Sequence, residues 1–160
     1  MAVMTAKDKS VLQNVIFDGL ISPSQAGWAL PGAVTFYESP VTFLDVKFTN
    51  TQSEDALNIV RSEFTLENVV FRNSLSDAFD SDFSRGTIKN TSFLTCGNDA
   101  LDVSGSEIQV ESIFLDGVGD KGISAGEKSR IVVDKLEGKN SRIVVASKDW
   151  SEVFIQKIRI

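Results

Sequence analysis

Apolar and polar residues alternate in short runs along this chain, and the same run returns at intervals of 22 or 23 residues. In Ser62–Phe71 and again in Ser106–Leu115, apolar side chains stand at the second, fourth, seventh and ninth positions after the serine. Alternation with a period of two is typical of strands that bury one face. Two short strands are therefore predicted after each serine, and runs such as Ala56–Val60 predict a third strand before the next serine.

The interval is marked most clearly by a column of serines: Ser39, Ser62, Ser84, Ser106, Ser129 and Ser151. A fixed period of this length is the signature of a repeat protein in which each unit stacks on the next. Three strands per repeat, without helical periodicity, predict an all-β fold: a right-handed parallel β-helix of about six to seven coils of 22–23 residues. We expect one domain over residues 1–160. Residues 1–7 are expected to be a disordered segment or one derived from an expression vector, and residues 8–160 are expected to form the coils.

Composition narrows the range of functions. The net charge of −6 argues against nucleic acid as a partner, because phosphates need a basic surface. No apolar run is long enough to predict a membrane span. The chain has no histidine, which excludes serine triads, histidine bases and the usual histidine zinc sites. Cys96 is the single cysteine, and we expect it to be buried in apolar packing.

Aligning the coils by their serines places acidic residues above one another. Asp80 and Asp102 are predicted to lie outward on adjacent strands, about 4.8 Å apart. Such a pair could act as acids in glycoside hydrolysis or, with Asp99, hold Ca²⁺, which prefers oxygen ligands. Lys121 falls one coil above Asp99 and is the candidate base. The predicted site is thus Asp80, Asp102 and Lys121 for catalysis, and Asp80, Asp99 and Asp102 for Ca²⁺.

The residues of the same polar columns could instead have structural roles. Stacked serine hydroxyls are expected to hydrogen-bond to the backbone and to one another. Asp55, Asp77 and Asp99 stand at turns, where an aspartate caps the backbone, and a structural role is expected for them. Asp80 and Asp102 could also be solvated side chains of an acidic surface.

The first coil carries an insertion within Ile21–Gly32. Insertions in solenoids form loops on one face, often the binding face. Trp28, within it, is predicted either to stack on a sugar ring or to plug the end of the coil. Because the chain stops at Ile160 within a coil, we expect it to be a piece of a longer protein or to self-associate end to end through its last coil.

The stacked strand pattern, together with the segments Asn98–Ser106 and Gly119–Glu127, resembles the pectate-lyase-like right-handed β-helix superfamily from about Asp8 onwards. The resemblance implies a bacterial β-helix module of surface or polysaccharide-related proteins, located outside the cell or in the cell envelope. Proteins with this fold include lyases, hydrolases, epimerases and stalks without catalytic activity. Polygalacturonase-like and alginate-epimerase-like members pair aspartates with a histidine, which this chain lacks. The lyases use lysine or arginine as base, so a lyase remains open.

Two functions are expected from these observations. The first is a non-catalytic scaffold or carbohydrate-facing module of a larger bacterial surface or envelope protein. The second is a uronic-acid polysaccharide lyase or related carbohydrate-active enzyme, such as a glycoside hydrolase, with an acidic face that binds Ca²⁺. Because no catalytic signature is complete, we expect this chain by itself not to be an enzyme. Polysaccharide is the expected partner in both cases.

Overall fold

The computed structural model describes residues 1–25 and 28–160. For Gln25 and Trp28 it describes the backbone but not the side chain. The strands of these residues are β1 (Ala2–Met4), β2 (Ser10–Gln13), β3 (Ile16–Asp18), β4 (Ser24–Gln25), β5 (Trp28–Ala29), β6 (Gly32–Tyr37), β7 (Val41–Leu44), β8 (Lys47–Thr49), β9 (Asp55–Val60), β10 (Glu63–Glu67), β11 (Val70–Ser74), β12 (Asp77–Asp82), β13 (Arg85–Lys89), β14 (Thr91–Cys96), β15 (Leu101–Ser104), β16 (Glu107–Val118), β17 (Lys121–Gly126), β18 (Arg130–Lys139), β19 (Ile143–Ser147) and β20 (Glu152–Arg159). The two roles predicted for the Trp28 side chain lie outside the described residues.

The strands wind into a solenoid whose cross-section has three faces. Face A is a parallel sheet of seven described strands, β1, β6, β9, β12, β15, β17 and β19. Face B holds β2, β7, β10 and β13, and face C holds β3, β8, β11 and β14; β16, β18 and β20 run through both faces without a break. The chain makes about six turns, and the predicted all-β parallel β-helix is confirmed. The described residues include no helix that is long and apolar enough to span a bilayer.

Inward side chains of successive coils stack on one another to form the core. On face C, Phe17, Phe48, Phe71 and Phe93 make a column with ring centroids 4.9, 4.8 and 4.9 Å apart. This spacing equals that of neighbouring strands, so the rings repeat with the backbone. The last three rings are at most 1% exposed. Burying each such ring stabilises the fold by roughly 1.5–3 kcal/mol.

The serine column is a hydrogen-bond ladder at the corner between faces A and B. The Oγ of Ser62 accepts the backbone N–H of Ser39 at 2.8 Å and donates to the carbonyl oxygen of Val60 at 2.8 Å. The same N–H to Oγ bond joins Ser62 to Ser84, Ser84 to Ser106, Ser106 to Ser129 and Ser129 to Ser151. Each hydroxyl satisfies a backbone N–H at a buried corner. The predicted bonds between these hydroxyls and the backbone are confirmed, whereas the described residues show no hydroxyl-to-hydroxyl bond between serines of the column.

Asparagine and aspartate form the corner between faces B and C. Asn68 and Asn90 have φ angles of 55° and 46°, a left-handed conformation that asparagine adopts more readily than most residues. The Asn90 amide donates to Oδ1 of Asn68 at 2.8 Å, and the Asn68 amide donates to Oδ1 of Asp45 at 3.0 Å. These side chains therefore link the coils a second time along the solenoid.

The first coil begins earlier than the sequence predicted. β1 pairs in parallel with β6, with Val3 opposite Phe36, so residues 2–4 belong to face A and not to a disordered lead. Their alternation was too short to predict a strand. In the last coil, Ile155 packs against the core, whereas Ile158 and Ile160 are 50% and 80% exposed. End-to-end association through this coil stays a prediction.

Candidate functional site

The insertion of the first coil forms one wall of a cleft on face A. Its strands β4 and β5 pair in antiparallel fashion, with Ser24 opposite Ala29. The cleft has a volume of about 700 Å³. It is lined from the insertion by Ser22, Ala29, Leu30 and Pro31, and from the coils by Glu54, Asp55, Asp77, Asp80 and Asp102. The insertion thus lies beside the acidic columns of the sequence.

Asp80 and Asp102 are direct neighbours in the face A sheet. Parallel pairing of β12 and β15 places the two residues opposite each other, as the coil alignment predicted. Asn58 lies opposite Asp80 on β9. Its Nδ2 donates to Oδ2 of Asp80 at 3.1 Å and to Oδ2 of Asp82 at 3.2 Å. One amide therefore holds two carboxyl groups of β12 together.

Burial distinguishes this column from a solvated acidic surface. Asn58 and Ser124, at outward positions of face A, are 2% and 0% exposed, and Asp80 and Asp102 between them are partly buried. Loss of hydration raises the pKa of Asp80 to about 8, and the charges of Asp82 and other nearby aspartates act in the same direction. Asp80 therefore takes up a proton more readily than an ordinary aspartate.

Asp77 and Asp99 cap the backbone of the following coil, as the sequence predicted. Oδ1 of Asp77 accepts the backbone N–H of Asp99 at 2.7 Å and Nδ2 of Asn98 at 2.7 Å. Oδ1 of Asp99 accepts the backbone N–H of Lys121 at 2.9 Å. A carboxylate in one coil thus fixes the start of the next strand of face A.

Asp55 does not follow this pattern. The backbone N–H of Asp77, which it would cap, donates to the carbonyl oxygen of Glu54 at 2.8 Å. Asp55 is only 2% exposed, and among the described residues its Oδ2 has no hydrogen-bond partner. Burial raises the pKa of Asp55 to about 7, and the neighbouring charge of Asp77 adds to the shift. The predicted turn cap is therefore wrong at Asp55, which instead lines the cleft.

Lys121 lies one coil above Asp99, but its surroundings do not suit a base. Its Nζ contacts Oδ1 of Asp99 at 3.3 Å and also the carboxylate of Asp120. The hydrogen bond to Asp120, followed by the charge of Asp99, raises the pKa of Lys121. The ammonium group therefore stays protonated at neutral pH, whereas a general base must be unprotonated.

Lys121 is also remote from the acidic pair along the strand. The residue opposite Asp102 on β17 is Ser124, three positions further on. Three residues of strand span about 10 Å. The structure therefore brings Asp80 together with Asp102, and Asp99 together with Lys121, but not all four residues into one catalytic group.

The predicted calcium ligands do not converge. Oδ1 of Asp99 is occupied by the backbone N–H and the ammonium group of Lys121. Within residues 1–25 and 28–160, no three acidic or cysteine side chains are arranged to hold a metal ion. Among the described residues, Asp80, Asp99 and Asp102 are therefore not brought together as a set of metal ligands.

Cys96 has no part in the site. It is 2% exposed, and burial raises the pKa of its thiol to about 12. The predicted burial in apolar packing is confirmed.

Sequence reasoning gave no site role to Asn58 or Asp55. Asn58 precedes Asp80 by one repeat in the same outward column, and an amide next to stacked carboxyls is a recognisable signal. Asp55 carried no such signal. Its position depends on the insertion, since its backbone N–H donates to the carbonyl oxygen of Pro31 at 3.3 Å.

Comparisons of the chain with family models, curated proteins and solved structures find no match. The resemblance to the pectate-lyase-like superfamily therefore stays a prediction.

Proposed function

We propose that this chain is a non-catalytic β-helix module that binds carbohydrate in the cleft between the insertion and face A. The observation that carries the proposal is a cleft of about 700 Å³ with five acidic residues in its lining. Small-ligand sites span about 300–1,000 Å³, so one or more sugar rings would fit. Ionised carboxylates accept hydrogen bonds from sugar hydroxyls, and protonated carboxyls also donate them. The surrounding protein would be a larger bacterial surface or envelope protein, as the resemblance implies.

A uronic-acid lyase suits this cleft poorly. Its substrate carries a carboxylate on each sugar, which would meet the acidic groups of Glu54, Asp55 and Asp77. Like charges at close range destabilise a complex unless a cation lies between them. Lys121, the candidate base, is protonated and held by Asp99 and Asp120. Binding without elimination is therefore the better-supported function.

One observation favours a second function, acid-catalysed hydrolysis of a glycosidic bond. Asp80 lies opposite a second carboxyl, that of Asp102, and burial favours its protonated form. Glycoside hydrolases use two carboxyl groups, and those that retain configuration hold them about 5–5.5 Å apart. Neighbouring strands, about 4.8 Å apart, suit this separation.

A panel of neutral, uronic-acid and amino polysaccharides tests both functions. Affinity gel electrophoresis measures binding, and assays for new reducing ends and for unsaturated sugars measure turnover. We expect retardation by at least one polysaccharide and no turnover of any. New reducing ends that disappear in Asp80→Asn but persist in Asp134→Asn, an exposed aspartate on β18, would support the hydrolase instead. A panel without any retardation would overturn carbohydrate binding.

A further inference from the structure

The solenoid presents a strand edge for pairing at each of its two ends. In the part of the chain that the structure describes, β1, β2 and β3 pair on one side only, with β6, β7 and β8. At the opposite end, again among the described residues, β19 pairs only with β17, and β20 pairs only with β18. The backbone N–H and C=O groups along such an edge are available to a further strand. Both ends can therefore extend the three faces.

The core is also incompletely covered at both ends. Ile158 lies opposite the buried Leu136 on β18, yet it is itself 50% exposed. Phe17 lies opposite Phe48 on β8, which is 1% exposed, but Phe17 is only partly buried. Burial of apolar surface contributes roughly 25 cal/mol per Å². A partner that adds one more coil would therefore stabilise either end.

A second copy of the chain supplies the coil that each end needs. The last coil consists of β19 on face A and of β20 on faces B and C. The first coil consists of β1, β2 and β3 on the same three faces. When the first coil of one copy lies on the last coil of another, the strands stay parallel, as they are between all stacked coils of the solenoid. A two-fold contact between identical ends would make them antiparallel.

The register of the coils brings opposite charges together across this contact. Face B carries an outward column in which the charge alternates from coil to coil: Glu63, Arg85, Glu107, Arg130 and Glu152. Lys9 has the same position in the first coil, because the next residue, Ser10, aligns through Val41 with Phe64. A second copy stacked in register therefore places Lys9 beside Glu152 and continues the alternation. Opposite charges on neighbouring strands stabilise a sheet.

The same register also brings apolar side chains together. Two residues beyond Lys9, Val11 would lie beside Phe154 of the other copy, and these side chains are 64% and 50% exposed. The next inward residue, Leu12, would cover Ile155, and both are only partly buried at the ends of the core. Charge and hydrophobicity thus agree on one register, and in that register each column continues from one copy into the next.

We infer that this chain stacks head to tail with further copies of itself, with the β19 and β20 edges of one copy pairing with β1, β2 and β3 of the next. The sequence indicated only the last coil as a contact, and the structure adds the first coil as its partner and the register of Glu152 beside Lys9. A contact of this kind does not close on itself, so it extends into filaments and does not stop at a dimer. The inference is independent of the carbohydrate binding proposed above.

Analytical ultracentrifugation of the 160-residue chain over a concentration series at low salt tests the assembly. We expect the mass to rise with concentration through whole multiples of the monomer mass. Ile158→Lys should abolish the rise, because its ammonium group can reach solvent in the monomer but would be buried in the stack. A monomer at every concentration, or a dimer that does not grow, would overturn the inference.

Charge reversal identifies the two ends. Glu152→Lys and Lys9→Glu each place like charges across the contact and should weaken association about 3-fold to 30-fold. An equimolar mixture of the two variants should associate again, since each contact between unlike copies pairs opposite charges. Glu107→Lys is the matched control: its side chain is 62% exposed, as is that of Glu152, but it lies in a middle coil and should have no effect.

Two results of this comparison would contradict head-to-tail stacking. Association that responds to Glu152→Lys but not to Lys9→Glu would show a contact between two C-terminal ends. Association that responds to both variants but is not restored in their mixture would show that the two residues do not face each other. Circular dichroism and thermal unfolding establish that the variants are folded.

Cysteine cross-linking tests the register. Val11→Cys and Phe154→Cys in one chain place the two thiols on neighbouring strands about 4.8 Å apart, within the range of a disulfide. Oxidation should then give a series of covalent multimers on a denaturing gel. Val11→Cys with Gln156→Cys shifts one thiol by two residues, to a separation of about 8 Å, and should give few multimers. Equal cross-linking of the two pairs would overturn the register.

Discussion

The ring of Phe64 fills the space in which a side chain at Gly86 would have to lie. A β-carbon placed on Gly86 would be 2.2 Å from Cζ of Phe64. The two residues are opposite each other on β10 and β13. Gly86 occupies a position where other coils have an inward apolar side chain, such as Ile108 on β16. The ring of Phe64 in one coil therefore fills the core volume that a side chain at Gly86 in the next coil would otherwise occupy.

Gly86→Ala should destabilise the protein because the new methyl group overlaps the ring of Phe64. Overpacking of this kind costs about 1–3 kcal/mol. Phe64→Leu should also destabilise the protein, since it leaves a cavity. In the double variant, the smaller leucine makes room for the alanine, so the loss should be less than the sum of the two single losses. Urea unfolding of the four proteins measures the coupling, and additive losses would contradict the shared volume.

The acidic column makes stability depend on pH. Burial raises the folded-state pKa of Asp55 to about 7 and that of Asp80 to about 8, from an ordinary value of 3.8. Between about pH 4 and pH 8 the unfolded chain therefore binds fewer protons than the folded chain, and the free energy of unfolding falls as pH rises. The melting temperature should decrease from pH 5 to pH 9. The N-terminal amine of Met1, whose pKa is lowered, opposes this trend.

Variants assign the pH dependence to these residues. Asp55→Asn combined with Asp80→Asn should raise the melting temperature at pH 8 and flatten its decrease with pH. The control Asp134→Asn removes an exposed carboxyl on β18, outside the cleft, and should leave the wild-type slope. No histidine titrates in this range. A melting temperature that is constant or rises between pH 5 and pH 9 would contradict the electrostatic description of the cleft.

Ser106→Ala should destabilise the fold by about 1–3 kcal/mol, the cost of an unsatisfied buried donor. The Oγ of Ser106 accepts the backbone N–H of Ser84 at 2.8 Å, and Ser106 is 2% exposed. Ser92→Ala is a suitable control, because Ser92 is an outward residue of β14 and lies outside the serine ladder. Equal unfolding midpoints for the two variants in urea would show that the ladder does not stabilise the coils.

The thiol of Cys96 should report unfolding. Burial keeps it 2% exposed and raises its pKa to about 12, so thiolate is scarce in the folded protein. Reaction with a chromogenic disulfide reagent at neutral pH should be slow in buffer and rapid in urea. Immediate reaction in buffer would contradict the burial.

The fold was predictable because its repeat is regular. The inward columns and the serine ladder repeat with the coil, and both are visible in one sequence. Gly86 was the exception to the inward pattern, and only the structure shows that Phe64 of the preceding coil fills the gap. Such compensation between coils carries no local signal.

The candidate site was predictable only in part. The coil alignment placed Asp80 opposite Asp102, because both follow the repeat. The wall formed by Ser22 and residues 29–31 belongs to the insertion, which breaks the repeat, so neither the cleft nor the burial of Asp55 could be predicted. The contact between Asp99 and Lys121 depends on how two side chains turn at a corner. Sequence periodicity shows in which coil a residue lies, but it does not show in which direction the charged group of its side chain points.

The aromatic column of face C ends at Phe93, and its end sets an order of events in unfolding. The next inward positions are Leu115 and Gly138, and the glycine contributes no side chain to the column. A solenoid loses structure coil by coil, since each coil is held only by its neighbours. The coils of β18 and β20, which lack a ring in this column, should therefore lose structure before the coils of β8, β11 and β14. The amide hydrogens on the coils of Phe48, Phe71 and Phe93 should be the last to exchange with solvent.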